Sequence, residues 1–358
     1  MENLTENGSL WNSNLQDQCF LFEMVESPQG FMYPIHIVTA LLNGIFAVVT
    51  TMGNSLVIYV IWKNISLHTP SNVLLCCLAF SDLAVGLLAQ PAFVAHKIGK
   101  LIHNFRLYCL TRVTLETVGQ ICAGVSTLTL AAISVERYLA LRFSLRYNVI
   151  VTNMRVFMVV GLFWVVFTVS TISKLFVEKI NSLHSFFLFS VTLSSFGVIS
   201  VSCVFVFRCV VRHQKRINSE QIPGSIEQQD FTSKRSSFSL LRYKKATLTM
   251  AYVLGIYLLF YLPFIGVMIA RKFYGYTQIT KAAYVCTSTL IFLNSSANPL
   301  IYCWRIKEIR IPVKIILKKL FSSHTPVTNF EPTSNGVGAI NLSRNYVYYV
   351  QDQSETRN

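Results

Sequence analysis

The stretch FLNSSANPLIY, residues 292–302, places Asn294, Ser295 and Asn298 in otherwise apolar surroundings. Asn294 and Asn298 are four residues apart and share a helix face, which Ser295 borders. Asn54, Asp82 and Ser126 sit in similarly apolar stretches. One carboxylate ringed by hydroxyls and amide oxygens suits a hard monovalent cation such as Na+. The same residues equally suit a hydrated polar network that locks helices together. A second charged group is Glu136-Arg137-Tyr138. There the acid either pairs with its neighbour at a helix end or holds Arg137 ready for another partner. A third group is Arg112 and Glu116, at i and i+4. Glu116 either pairs with Arg112 or meets a cationic group on a ligand. No HExxH, P-loop or GxSxG elbow occurs, so the chain reads as a non-enzyme.

Composition says which elements must position these residues. The 358 residues are 53% hydrophobic and only 13% charged, where a soluble domain carries about a quarter charged residues. Mean hydropathy is +0.48. Seven apolar stretches are long enough to cross a bilayer: 35–62, 73–95, 113–141, 156–173, 186–211, 246–270 and 282–304. Helices alone satisfy their own backbone groups in lipid over such lengths. The expected fold is therefore an all-α membrane protein, a seven-transmembrane helix bundle. With a rise of about 1.5 Å per residue, Asp82 and Ser126 stand about 16 Å above the inner helix ends. Asn294, Asn54 and Asn298 stand about 14, 12 and 8 Å above them. Four helices thus bring these polar groups into one slab, where intramembrane polar residues mark functional sites.

Charge sets the orientation. Of the 31 Lys and Arg residues, 22 fall on the side holding the 212–245 loop and the C-terminus, leaving nine on the other. The positive-inside rule then places the N-terminus outside and the C-terminus in the cytoplasm. The net charge of +15 belongs mostly to the inner face, suited to anionic lipid or an acidic partner surface rather than nucleic acid. Residues 1–34 form an outer segment without a signal-peptide pattern, so the first helix is expected to act as signal-anchor. Asn3 and Asn7 open N-x-[ST] sequons there. Of nine cysteines, most read as small apolar packing residues inside helices. Cys19 and Cys109 fall on the oxidising side, where a mutual disulfide and two free thiols are both open to them.

Outer connections are expected at 96–112, 174–185 and 271–281. The longest inner loop, 212–245, is polar and bears Pro, Gly and Ser. In RIKEIRIPVKIILKKLF, residues 305–321, Ile306, Ile309, Val313, Ile316, Leu317 and Leu320 share one face opposite Lys and Arg. That segment reads as a short amphipathic eighth helix on the inner membrane surface, with Pro312 a candidate kink. Residues 322–358 are a Ser/Thr/Asn-rich tail. No internal repeat of the transporter type is evident.

These residues, taken in order, resemble the rhodopsin-like (class A) G-protein-coupled receptors. GNSLV (53–57) resembles the first-helix Asn motif, and LAFSDLAVG (78–86) the second-helix Asp motif. ERY (136–138) is similar to the acid-Arg-Tyr of the third helix, and Trp164 to the fourth-helix Trp. FYLP (260–263), with Pro263, is similar to the sixth-helix proline motif, and NPLIY (298–302) to the seventh-helix Asn-Pro-x-x-Tyr. The resemblance implies a plasma-membrane receptor that binds an extracellular ligand and activates heterotrimeric G proteins by helix-six movement around Arg137. It implies an allosteric Na+ at Asp82, Ser126, Asn294, Ser295 and Asn298, and a Gα contact through Leu145. Tyr302, after Pro299, would turn inward to steady the active state. Glu116, Gly119, Tyr261 and Phe292 match ligand positions, and the tail hydroxyls match sites where receptor kinases prepare arrestin binding. Membrane lipids flank the inner helix.

The departures from this pattern are specific. Tyr261 replaces the usual Trp, and the fifth helix has neither its usual Pro nor its usual Tyr. Tyr243 stands where some members place the acid that restrains Arg137, which implies basal activity. Arg112 holds the place of the usual third-helix Cys, and the second outer loop has no Cys, so the family's usual disulfide cannot form. These features, with Glu116, resemble the melanocortin, lysophospholipid, cannabinoid and adenosine branch. Phe292 in place of the retinal lysine argues against a light receptor, and Gly119 in place of an Asp against an amine receptor. The ligand stays open among a small cationic molecule, a peptide and a lipid. The rival reading is an ion channel or transporter working through the midplane Asp82.

Overall fold

The computed structural model describes residues 30–143, 146–177, 180–220 and 255–321. The chain falls into two units, Met1–Lys314 and Ile315–Asn358. Among the described residues of the second, only 315–321 appear, as helix. The first unit holds seven long helices: α1 Met32–Lys63, α2 Pro70–Leu101, α3 Phe105–Arg142, α4 Asn153–Phe176, α5 Ile180–Glu220, α6 Gly255–Tyr274 and α7 Gln278–Arg305. An eighth, α8, runs Lys307–Phe321. No strand occurs among the described residues.

α1 to α6 each contain a segment long and apolar enough to cross a membrane. α7 has the length, 28 residues, but its Asn, Ser and Thr side chains dilute its apolar character. The reason is visible in α1, which is polar inward and apolar outward. His36, Thr39, Asn43, Thr50 and Asn54 are buried, whereas Leu41, Ile45, Val48 and Met52 are exposed. Lipid tails are as apolar as Leu, so helices here associate through close packing and polar contacts rather than through apolar burial. α1 and α7 accordingly meet through Asn43 Nδ2 donating to Thr289 Oγ1 at 3.1 Å, a Thr50–Ser296 hydroxyl pair at 2.6 Å, and Asn54 Nδ2 donating to the Ser295 carbonyl at 3.1 Å.

The helices run beyond their expected ends, so the outer connections shrink to 102–104, 177–179 and 275–277. Hydropathy marks where apolar residues stop, but the backbone bonds of a helix continue through basic and polar residues such as Lys97, Lys100 and Lys174. Side chains fix several starts: Thr69, Asn104, Thr152 and Thr277 each accept from the backbone N–H three residues on. Residues 246–254 of the expected sixth span lie outside the described residues.

Two close approaches set the helix spacing. A Cβ on Gly124 of α3 would lie 2.0 Å from the Phe167 ring of α4, so the fully buried Phe167 fills the room a side chain would need. A Cβ on Gly53 would lie 3.0 Å from the Pro299 ring, so α1 makes way for the proline inside α7. In α2, a π-turn at Val85–Ala89 precedes Pro91, whose ring cannot sit under a regular helical carbonyl. The turn shifts the outer part of α2 by one residue. In α8, Ile309 and Val313 are buried, and the helix continues through Pro312.

Candidate functional site

At mid-depth, α2, α3 and α7 converge on Asp82, which is fully buried. Asn298 Nδ2 donates to its Oδ2 at 2.7 Å, and Ser126 Oγ reaches its Oδ1 at 3.4 Å. Ser81 and Ser126 share a hydroxyl contact at 2.8 Å. Asn294 and Ser295 are buried on the same helix as Asn298. Of the expected sodium-site residues, Ser126 and Asn298 thus contact the Asp82 carboxylate and Asn294 and Ser295 are buried on α7, with no described cationic side chain at ion-pair distance from Asp82. The oxygen-rich set fits a monovalent hard cation. Asn54 Oδ1 and the Tyr302 hydroxyl are buried without a described hydrogen-bond partner. Tyr302 is almost fully buried.

At the inner end of α3, Arg137 Nε lies 3.3 Å from Glu136 Oε2. The two are at ion-pair distance without the alignment of a hydrogen bond. Glu136 is held from two further sides: Ser71 Oγ donates to its Oε1 at 2.7 Å, and the Tyr147 hydroxyl donates to the same oxygen at 2.5 Å. Tyr147 belongs to a one-turn helix, Tyr147–Ile150. Burial, followed by its bond to Glu136, pushes the Tyr147 phenol up to about 12. Tyr138 meets Phe205 of α5 edge to face, centroids 4.7 Å apart. Neither Ser71 nor Tyr147 stood out in the sequence, because each lies in an ordinary stretch. Leu145 and Tyr243 lie outside the described residues.

In α6, Tyr261 is buried and its ring lies 4.3 Å from Tyr257. Tyr257 donates to Thr127 Oγ1 of α3 at 3.2 Å and packs against Phe196 of α5. Pro263 is exposed on α6. The Tyr257–Thr127 bond ties α6 to α3 and was not legible beforehand, since a lone Tyr on an apolar helix gives no partner.

In the outer half, Glu116 sits between two cations. Arg112 Nη2 is 3.8 Å and Lys174 Nζ 3.5 Å away. Gln120 Nε2 donates to Glu116 Oε2 at 2.7 Å, while Gln120 Oε1 meets His184 Nε2 at 2.9 Å. Ser170 contacts the other His184 nitrogen at 2.9 Å. α3, α4 and the start of α5 thus share one network, in which Arg112 was the one expected partner and Lys174, Gln120 and His184 were missed. Lys174 and His184 were missed because 174–185 read as loop, and Gln120 because nothing in its apolar stretch marks a partner. Gly119 faces Phe292: a Cβ there would lie 3.9 Å from the ring. Phe292 meets Phe93 at 5.8 Å. Cys109 is disulfide-bonded, and the seven other described cysteines are free. Cys19, Asn3 and Asn7 lie outside the described residues.

The described bundle thus holds a buried carboxylate at mid-depth and an acid-Arg pair at the end of α3. The profile of the 7 transmembrane receptor (rhodopsin family) matches residues 53–302, so the chain belongs to that family. It is a multi-pass membrane protein of a family of receptors, not enzymes. The chain is 26% identical over 302 residues to the adenosine receptor A3 of Ovis aries, covering 79% of this chain and 89% of that one. It is 24% identical over 306 residues to the adenosine receptor A2a of Canis lupus familiaris, covering 76% and 70%. Similarity to the alpha-1A adrenergic receptor of Oryzias latipes is 25% over 309 residues, covering 76% and 65%.

Proposed function

We propose that the chain is a plasma-membrane receptor, N-terminus outside, that couples an extracellular ligand to a heterotrimeric G protein. The observation that carries this reading is the state of Arg137. It is part-exposed at the inner face and held by its neighbour Glu136, which Ser71 and Tyr147 hold in turn. An Arg in that position is available to a G protein once the inner end of α6 moves aside. The Tyr257–Thr127 bond is a contact between α3 and α6 that such a movement would alter. Asp82, Ser126, Asn294, Ser295 and Asn298 would hold a sodium ion, whose positive charge offsets the buried carboxylate. Asn298 then links that site to Pro299 and Tyr302 on the same helix. Leu145 would meet Gα, and phosphorylated tail hydroxyls would recruit arrestin.

The test is nucleotide exchange on a panel of purified Gα subunits, with the receptor in lipid nanodiscs. Wild-type receptor and Tyr147→Phe, which frees one side of Glu136, should accelerate exchange on at least one subunit. Arg137→Ala should abolish that acceleration. Equal exchange for all three proteins across the panel would sink the reading.

A further inference from the structure

At the outer end of α2, Lys97 is a buried cation without a counter-ion. It is 4% exposed, and no described carboxylate pairs with it. Its ammonium lies over the Phe93 ring, 4.7 Å from the centroid. Phe93, His96, Lys97 and Lys100 recur at i, i+3, i+4 and i+7, so they share one helix face. That face meets α3 at Tyr108, which stands 4.7 Å from the His96 ring. Lys100 lies 5.6 Å over the Tyr108 ring, and Arg112 Nη1 donates to its hydroxyl at 3.1 Å. Beneath Lys97, Phe93 packs with Phe292, Val85, Ala89, Cys122 and Val285 in one apolar cluster. Phe292 in turn faces Gly119, the open point on α3.

Among the described residues, charge around this point is one-sided. Lys100, Arg112, Lys174, Arg271 and Lys281 stand at the outer ends of five helices. Glu116 is the only described carboxylate in the outer half, and Arg112 and Lys174 already engage it. A cationic ligand would have to displace one of them and then face the remaining basic groups. An anion meets the opposite situation: a desolvated ammonium with no counter-charge among the described residues, which is costly until a partner arrives.

We infer that the outer end of the bundle binds a small amphipathic anion, its carboxylate or phosphate head on the Lys97 ammonium and its apolar body against Phe93 and Phe292. The inference rests on the receptor reading for its purpose but not for its chemistry, so the test leaves the G protein out. Full-length receptor in neutral phosphatidylcholine nanodiscs is titrated with 11-(dansylamino)undecanoic acid, read by fluorescence. Laurate, dodecyl phosphate and dodecyltrimethylammonium serve as competitors of equal chain length. Laurate or dodecyl phosphate should displace the probe, and whichever acts at lower concentration names the head group; the trimethylammonium compound should not compete. Lys97→Gln should weaken probe binding by about tenfold to a hundredfold, the scale of a charge-assisted hydrogen bond, and Lys97→Arg should keep most of it. Thermal melting of each variant reports folding independently of binding.

Competition by the trimethylammonium compound alone would overturn the inference and return the site to Glu116. Equal loss in folded Lys97→Gln and Lys97→Arg would also overturn it, because charge would then not be what matters. Probe binding unchanged in folded Lys97→Gln would overturn it as well. Failure here leaves Arg137-dependent nucleotide exchange untouched, and failure of that exchange leaves anion binding standing.

Discussion

Asp82 and Glu116 are both carboxylates inside the bundle, and their surroundings are opposite. Asp82 is fully buried among neutral donors, Asn298 and Ser126. Glu116 is partly exposed between two cations, Arg112 and Lys174. The first has only oxygen and amide neighbours among the described residues, a set that fits a small mobile cation. The second is a charge already neutralised by its own chain, so it is scaffold. The difference shows that an acid in a membrane bundle does not name a ligand by itself; its counter-charges do.

Replacing each acid separates the two cases. Asp82→Ala should have the largest effect, because it strands the Asn298 amide, and hydrogen bonds to charged groups are worth about 1.5–3 kcal/mol each. Asp82→Asn should restore much of that loss. It should also erase the rise in melting temperature expected for the wild type when sodium replaces N-methylglucamine. A wild-type melting temperature indifferent to that exchange would remove sodium from the account and merge the two acids into one class.

Glu116→Gln should cost less, about 1 kcal/mol, since exposed ion pairs are screened. Adding Lys174→Met should recover part of it, and a double-mutant cycle on melting temperature measures the coupling. If no coupling appears, Glu116 is less neutralised than the geometry says, and the contrast with Asp82 weakens.

Glu136 is the intermediate case, an acid with one cation and two hydroxyl donors. Tyr147→Phe should cost about 0.5 kcal/mol after screening and raise basal nucleotide exchange. The Tyr147 phenol is raised from 10.0 to about 12, so its protonated, donating form is favoured in the fold. Its stabilisation is complete below about pH 10 and is lost as pH climbs towards about 12. The melting difference between wild type and Tyr147→Phe should therefore be flat up to about pH 10 and shrink above it. A similarly small effect belongs to Thr289→Val in the α1–α7 seam. It removes one neutral bond to Asn43, worth about 0.6 kcal/mol in membrane bundles.

The polar slab was legible because Asp82, Asn294 and Asn298 are anomalies in apolar sequence, and helical rise alone puts them at one depth. The family matched at residues 53–302 was legible for the same reason: its motifs are polar punctuation in lipid-soluble text. The outer half was less so. Lys97, Lys174 and His184 fell in segments that hydropathy reads as loop, yet they are helical and face inward. Basic residues end an apolar run without ending a helix, so the method loses the residues that distinguish one member from another. Ser71, Tyr147 and Tyr257 were invisible for another reason. Each acts through a partner on a distant segment, and a single hydroxyl carries no mark of whom it will meet.

The short outer connections have a mechanical consequence. Residues 275–277 fasten the outer end of α6 to α7. The described part of α6, Gly255–Tyr274, is about 30 Å long and fastened at this end. A small tilt beside Phe264 and Tyr284, whose rings meet 5.7 Å apart near the pivot, is multiplied along its length. The displacement is then greatest at the end of α6 furthest from residues 275–277.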